Sequence, residues 1–169
     1  MKILRPDMLR DGLCAVTPDD IRALGAKVIA IDADNTSSFD GTTIPLDGSG
    51  EWIENMQKEG FPVYLVSNAK TERAKVLSDG YGIPVVGFAM KPMPFGYLRV
   101  AMAEKVSRKD VLMIGDQLFT DILGANIAGA KSIYVRPYEK ERRAVVSYTI
   151  KRSLESFYFM MLRLVGKEI

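Results

Sequence analysis

The sequence predicts an α/β protein built on a parallel sheet with helices on both faces. Three observations carry that expectation. Short apolar runs alternate regularly with stretches of helical character. The run Val28-Ile29-Ala30-Ile31 is apolar on both faces and rich in β-branched residues, as a strand covered from both sides has to be. That run then stops at two carboxylates, Asp32 and Asp34, neither of which the core would tolerate one turn earlier. In open sheets of this kind ligands bind beyond the carboxyl ends of the strands, so the pair sits where chemistry is expected.

Element by element, the N-terminal stretch Met1 to Leu13 carries Arg5, Asp7, Arg10 and Asp11 and has no long apolar core, so it does not read as a secretory signal. The first strand follows near 27–32. Residues 35–48 hold Ser, Thr, Asp, Gly and Pro with little periodic apolar character, which predicts an irregular loop or small flap over the strand end. A helix near 49–59 is closed by Gly60-Phe61-Pro62 and hands over to a strand near 62–66. The next helix, near 70–79, is closed by Gly80-Tyr81-Gly82-Ile83-Pro84 before a strand near 84–88. Helices near 94–106 and 120–128 flank a strand near 111–114, and a fifth strand follows near 131–135. Ile150, Leu154, Phe157, Tyr158, Met161 and Val165 then recur at helical spacing among Lys151, Arg152, Arg163 and Lys167, predicting an amphipathic helix over about 147–165.

Composition narrows the classes of function. A chain of 169 residues with 47% hydrophobic content suits one domain, 1–169, with a full core. A net charge of +2 is too small to argue for nucleic acid, although residues 136–169 hold eight Lys/Arg against four Asp/Glu. Cys14 is the only cysteine, which excludes an intrachain disulfide and a multi-cysteine metal site and fits a reducing, cytoplasmic setting. No stretch reaches the roughly 18 apolar residues of a spanning helix. Histidine is absent, so proton transfer near neutral pH has to use a carboxylate, a lysine, a tyrosine, the thiol or water.

Four strand ends carry the candidate chemistry. The first ends in Asp32-Ala33-Asp34-Asn35-Thr36, and the second in Ser67-Asn68. Lys91-Pro92 follows the third, while the fourth runs into Gly115-Asp116-Gln117-Leu118-Phe119-Thr120-Asp121. Each has a plain structural reading: a turn at Asp34, a helix cap at Ser67, a solvated lysine at Lys91, and caps at Asp116 or Thr120. Their fall at one sheet edge after consecutive strands is hard to attribute to capping. Acids and a glycine at a strand end also suit a hard cation such as Mg²⁺.

This order and spacing resembles the haloacid dehalogenase (HAD) superfamily of phosphohydrolases, and the segments quoted, with Leu4-Arg5-Pro6-Asp7 and Thr17-Pro18, are similar to its YqeG family of IIIA-type phosphatases. The resemblance implies a three-layer Rossmann-like fold with a five-stranded sheet. It also implies Mg²⁺-dependent hydrolysis of a phosphate monoester through an aspartyl-phosphate. Asp32 would be the nucleophile and Asp34 the acid and base. Lys91 would balance charge, Ser67 and Asn68 would bind the phosphate, and Asp32, Asp34, Asp116 and Asp121 would form the metal site. The spacings of 33 residues from Asp34 to Ser67 and 24 from Ser67 to Lys91 are filled by helix-strand units, leaving no room for a separate cap domain. An open site resembles those acting on large substrates. Related proteins of mitochondria and plastids are similar to phosphatidylglycerophosphate phosphatases, which makes an anionic phospholipid a candidate and gives the basic tail a role at a membrane, against a second subunit, or on the protein's own core. The rivals are a non-catalytic scaffold and a phosphorylated receiver module. A receiver resembles a design with its acceptor Asp after the third strand, where this chain has Ala89-Met90-Lys91.

Overall fold

Six parallel strands form the centre of the molecule. The computed structural model describes residues 3–69 and 71–138. Its strands are β1 (Met8–Arg10), β2 (Val28–Ile31), β3 (Val63–Val66), β4 (Val85–Val86), β5 (Val111–Gly115) and β6 (Lys131–Val135). The helices are α1 (Pro18–Ala23), α2 (Ser49–Lys58), α3 (Thr71–Tyr81), α4 (Phe95–Ala103) and α5 (Leu123–Ala128). The strand order is β1-β6-β5-β2-β3-β4. From β2 the chain steps outward to β3 and β4, then returns to the other side of β2 for β5. Sheet order therefore reverses between β2 and β5, where such folds open a crevice beyond their strand ends.

The twofold side-chain period of the strands divides the core in two. Ile29, Ile31, Leu112 and Ile114 face Ile21 of α1, Trp52, Ile53 and Met56 of α2, and Leu77 of α3. Val28, Ala30, Val111 and Met113 face Tyr97, Val100 and Ala101 of α4 and Ala125 and Ala128 of α5. Each of the larger aliphatic residues contributes about 1.5–3 kcal/mol by leaving water. The register Ile29↔Leu112 and Ile31↔Ile114 then brings the ends of β2 and β5 level.

The sheet has one strand more than expected. β1 pairs with β6 through Met8↔Ile133 and Arg10↔Val135. Three half-buried residues at an edge need little apolar character, so the charges around them conceal the strand. The expected elements also leave out α1, whose six residues are too few to display a period. It starts with a capping box, in which the Thr17 hydroxyl accepts from Asp20 N and the Asp20 carboxylate from Thr17 N, a device that stabilises by about 1 kcal/mol. The strand expected over 84–88 shrinks to Val85–Val86, because Phe88 and Met90 adopt left-handed φ of 48° and 53°. The helix expected over 120–128 begins as a wider π turn, Leu118–Ile122. Residues 35–48 form a pinned loop rather than an irregular one: Asp34 and Pro45 each bridge to Ser38, and the Tyr81 hydroxyl donates to Ser37 O.

No cap domain interrupts the described residues between β2 and β5, which hold only the loop, sheet strands and layer helices. The amphipathic helix expected over 147–165 lies outside the described residues, and so do its expected contacts with a membrane or second subunit. Among the described residues no helix is long and apolar enough to cross a membrane.

Candidate active site

The ladder of β2 runs one residue past the strand, with Asp32 N donating to Ile114 O at 3.0 Å. The chain then turns tightly. Asn35 takes φ 57°, a left-handed value that Asn tolerates better than most residues. Ser37 Oγ donates to Asp32 O at 2.8 Å and Ser38 Oγ to Ala33 O at 3.0 Å, closing the turn beneath the two acids. Asp32 ends up buried, whereas Asp34 stays partly exposed.

Lys91 reaches this point from the loop after β4. Its Nζ donates to Asp32 Oδ1 and, at 2.6 Å, to Asp121 Oδ1, with all three side chains 6% exposed or less. The lysine is held by its backbone. Asn68 Oδ1 accepts from Lys91 N at 2.7 Å, and Asn68 Nδ2 donates to Lys91 O at 2.9 Å. This clamp offsets the left-handed backbone at Phe88 and Met90, which costs about 1–2 kcal/mol per residue. Both ends of the Asn68 amide are thereby committed to Lys91. Ser67, buried beside it, accepts from Ala69 N at 3.0 Å.

Asp116 and Asp121 arrive from the end of β5, and both are fully buried. The π turn carries Asp121 back over Gly115, where its Oδ2 accepts from Gln117 N at 3.1 Å. Gly115 is required for this approach, since a Cβ there would stand 2.5 Å from Asp121 Cγ. The Tyr97 hydroxyl donates to Asp121 O at 3.2 Å, in space that a Cβ on Gly124 would fill to within 2.8 Å. Thr36 Oγ1 donates to Asp116 Oδ1 at 3.3 Å, tying the turn after β2 to the end of β5.

Carboxylate oxygens of Asp32, Asp116 and Asp121 lie within 4.8 Å of one another. Lys91 bridges two of the three, Asp32 and Asp121. An all-oxygen donor set of buried carboxylates fits a divalent hard cation such as Mg²⁺. Burial raises the Asp32 carboxyl from 3.8 to about 7; Lys91 opposes the rise, and Asp121 and Asp34 add to it. Lys91 moves the other way from its solvent trend: burial works against its charge, but Asp121 and Asp32 hold it above the usual lysine value. Burial also raises the Tyr97 phenol, so it remains a neutral donor.

Asp34 belongs to a second cluster. Arg73, in the first turn of α3, grips it through Nη1 to Oδ1 at 2.6 Å and Nη2 to Oδ2 at 2.7 Å. Arg73 Nη1 also donates to Thr42 O at 3.2 Å, and Gly41 N donates to Asp34 Oδ1 at 2.9 Å. The hydrogen bond to Asp34 raises Arg73 further above the usual arginine value.

The structure thus brings Asp32, Lys91, Asp116 and Asp121 into one cluster, sets Asp34 beside it, and puts Ser67 and Asn68 at the adjoining strand end. Sequence reasoning did not single out Thr36, Arg73 or Tyr97. Thr36 had a signal, since it stands in the same short segment as the two acids. Arg73 and Tyr97 had none, because an arginine and a tyrosine on helices read as surface and core.

An α/β sheet with acids at the ends of β2 and β5, a lysine after β4 and a hydroxyl after β3 defines a hydrolase of the haloacid dehalogenase type. The chain belongs to the haloacid dehalogenase-like hydrolases, whose family model matches residues 9–129. Within them it falls in the YqeG family: it is 34% identical over 136 residues to the probable phosphatase YqeG of Bacillus subtilis, covering 80% of this chain and 79% of that one. Family and relative together make it a HAD-type phosphatase. A more distant match, 28% identical over 127 residues, is the mitochondrial phosphatidylglycerophosphatase GEP4 of Saccharomyces cerevisiae, covering 65% of this chain and 66% of the yeast protein. The fold is shared with the D,D-heptose 1.7-bisphosphate phosphatase of B. bronchiseptica, solved with magnesium and phosphate. The TM-score is 0.55 and the identity 20%, over 63% of this chain and 78% of that one.

Proposed function

We propose that the protein is a Mg²⁺-dependent phosphatase that hydrolyses a phosphate monoester through an aspartyl-phosphate on Asp32, with residues 1–169 as one catalytic domain. One observation carries this reading: three buried carboxylates converge at the sheet edge and two of them, Asp32 and Asp121, share the buried ammonium of Lys91, an arrangement suited to a cation and an anionic substrate. A non-catalytic scaffold would have no use for it.

In this mechanism Asp32 Oδ2 attacks phosphorus while Lys91 holds Oδ1. The bond from phosphorus to the ester oxygen breaks, and Asp34 gives that oxygen a proton. Asp34 then takes a proton from water, the water oxygen attacks phosphorus, and the Asp32 carboxylate leaves. Lys91 balances charge on Asp32 and on the transferring group. The Ser67 hydroxyl, which accepts from Ala69 N, has its proton to donate to a phosphoryl oxygen. Asn68 serves the phosphate indirectly, by fixing Lys91. Asp32, Asp116 and the backbone carbonyl of Asp34 would hold Mg²⁺, with Asp121 behind them orienting Lys91. Bound there, the cation would supply charge neutralisation for the phosphoryl oxygens.

The finer reading concerns the substrate. Similarity to a phosphatidylglycerophosphatase favours an anionic phospholipid, and so does the segment around Lys91, where Phe88, Met90 and Met93 of the loop and Phe95 at the start of α4 are all exposed. A phosphate site edged by large apolar side chains suits a headgroup presented at a membrane surface. Phosphate release from phosphatidylglycerophosphate in vesicles, compared with sugar, nucleotide and protein phosphates, tests both levels. The proposal expects Mg²⁺-dependent release that is fastest from the vesicles. Efficient turnover of a small soluble ester with none from any lipid would overturn the lipid reading, and no Mg²⁺-dependent release from any ester would overturn the phosphatase mechanism.

A further inference from the structure

The proposed mechanism has no use for Arg73, whose geometry works against the mechanism as it stands. Both oxygens of Asp34 are taken by the guanidinium, at 2.6 and 2.7 Å, and Oδ1 accepts from Gly41 N as well. A carboxyl gripped at both oxygens cannot present either to a leaving oxygen until Arg73 lets one go. The pair is within reach of a ligand, because both side chains are 23% exposed. Lys91 is not an alternative anchor for a second group, since its ammonium is buried and engaged by Asp32 and Asp121.

The fold does not depend on the grip. α3 is packed through Ala74, Leu77 and Ser78, and the loop after β2 is separately fixed by the Tyr81 hydroxyl on Ser37 O. What a guanidinium fork accepts in place of one carboxylate is another planar or tetrahedral oxyanion, bound through the same paired donors. Asp34 is the residue assigned to the leaving oxygen, so an oxyanion that reaches Arg73 has to sit on the leaving alcohol.

We propose that Arg73 is a subsite for a second anionic group carried on the leaving alcohol of the substrate, and that binding this group draws the guanidinium away from Asp34. This rests on the assignment of Asp34 to the leaving oxygen. It identifies the substrate class as phosphomonoesters bearing a further oxyanion a few bonds from the scissile one. A phosphodiester, as in a phospholipid headgroup, and a second phosphate, as in a soluble bisphosphate, share that chemistry.

The test compares kcat/KM for glycerol 1-phosphate, propanediol 1,3-bisphosphate and glycerophosphoglycerol phosphate, with Mg²⁺, in the wild type, Arg73→Gln and Arg73→Lys. The wild type should prefer at least one doubly anionic ester by about tenfold or more, a margin that one charge-assisted contact provides. Arg73→Gln should bring the ratio close to one, and Arg73→Lys should restore part of it. Whichever doubly anionic ester gains more separates the diester from the second phosphate. Calorimetry with glycerophosphoglycerol, which carries the diester and no hydrolysable monoester, reads the subsite without turnover, and its Kd should rise by about tenfold or more in Arg73→Gln. Folding of each variant is checked by its melting transition, and Arg73→Lys carries the comparison if the glutamine variant does not fold. A ratio near one in the wild type, or a preference and a Kd that ignore Arg73, would overturn the subsite even if every ester were hydrolysed. Arg73-dependent diester binding without hydrolysis of any ester would uphold the subsite and overturn the phosphatase mechanism.

Discussion

Asp32 and Asp34 are two residues apart on one turn, yet they sit in opposite environments. Asp32 lies on the floor of the site, 6% exposed, sharing Lys91 with Asp121 and converging with Asp116. Asp34 lies at the rim, 23% exposed, in a bidentate pair with Arg73 that extends to the loop carbonyl of Thr42. The floor is dry and its groups share partners, so each of them depends on the others. The rim pair is balanced and wet, so its partners can be exchanged. In the proposed mechanism the nucleophile lies on the floor and the proton carrier at the rim, which keeps the group that must stay fixed away from the group that must let go.

The largest predicted effect comes from breaking the floor. Asp32→Asn should lower kcat for an aryl phosphate by at least about 10³-fold, because catalytic groups acting as a unit fail together. Steady-state kinetics beside a melting curve separates this from misfolding. Next is Asn68→Ala, which touches no phosphate in this account and only releases the backbone of Lys91. A displaced catalytic group costs about 10²-fold, so kcat should fall by roughly that factor with KM changing less. An unchanged kcat would mean that Lys91 does not need its clamp.

Metal affinity distinguishes floor from rim at a smaller scale. Asp116→Asn should weaken Mg²⁺ binding by at least about tenfold, whereas Asp34→Asn should leave it nearly intact, since only the backbone carbonyl of Asp34 is assigned to the cation. Titration calorimetry on the two variants checks this, and equal losses would erase the distinction.

The smallest effect is on stability against pH, and the floor contributes to it through Asp32. The Asp32 carboxyl is raised by burial from 3.8 to about 7, so between those values the folded, metal-free protein keeps a proton that the unfolded chain has released. The stability this supplies is fully present below 3.8 and is lost as pH rises through about 7. Metal-free protein should therefore show a falling contribution to its melting temperature across that window. Asp32→Asn should remove the trend, and Mg²⁺ should stabilise more at the upper end of the window than at the lower.

Much of this site was legible in the sequence because its groups follow strand ends. A buried strand has a clear apolar signature, and the residue after it goes to the sheet edge whatever its side chain does there. Asp32, Lys91, Asp116 and Asp121 were located in that way. What the sequence hid depends on distance across the fold or on exceptions to regular backbone. Arg73 meets Asp34 only because α3 starts beside the loop after β2. Asp121 reaches Lys91 only because a π turn widens the start of the last described helix over a glycine. Asn68 looked like a phosphate ligand because it stands next to Ser67, and its amide instead holds the lysine. β1 and α1 were hidden by shortness: three residues at an edge and six in a helix carry too little pattern for a period to be read.

The central claim is that Asp32 takes the phosphoryl group. The direct measurement is mass spectrometry of protein acid-quenched during turnover of an aryl phosphate with Mg²⁺, using Asp34→Asn to slow the loss of the intermediate. The account predicts a phosphoryl group on the peptide that contains Asp32, removed by hydroxylamine as an acyl phosphate is, and missing when Asp32 is also replaced by Asn. Turnover with no covalent phosphate at any time, or with the phosphate on another residue, would contradict it.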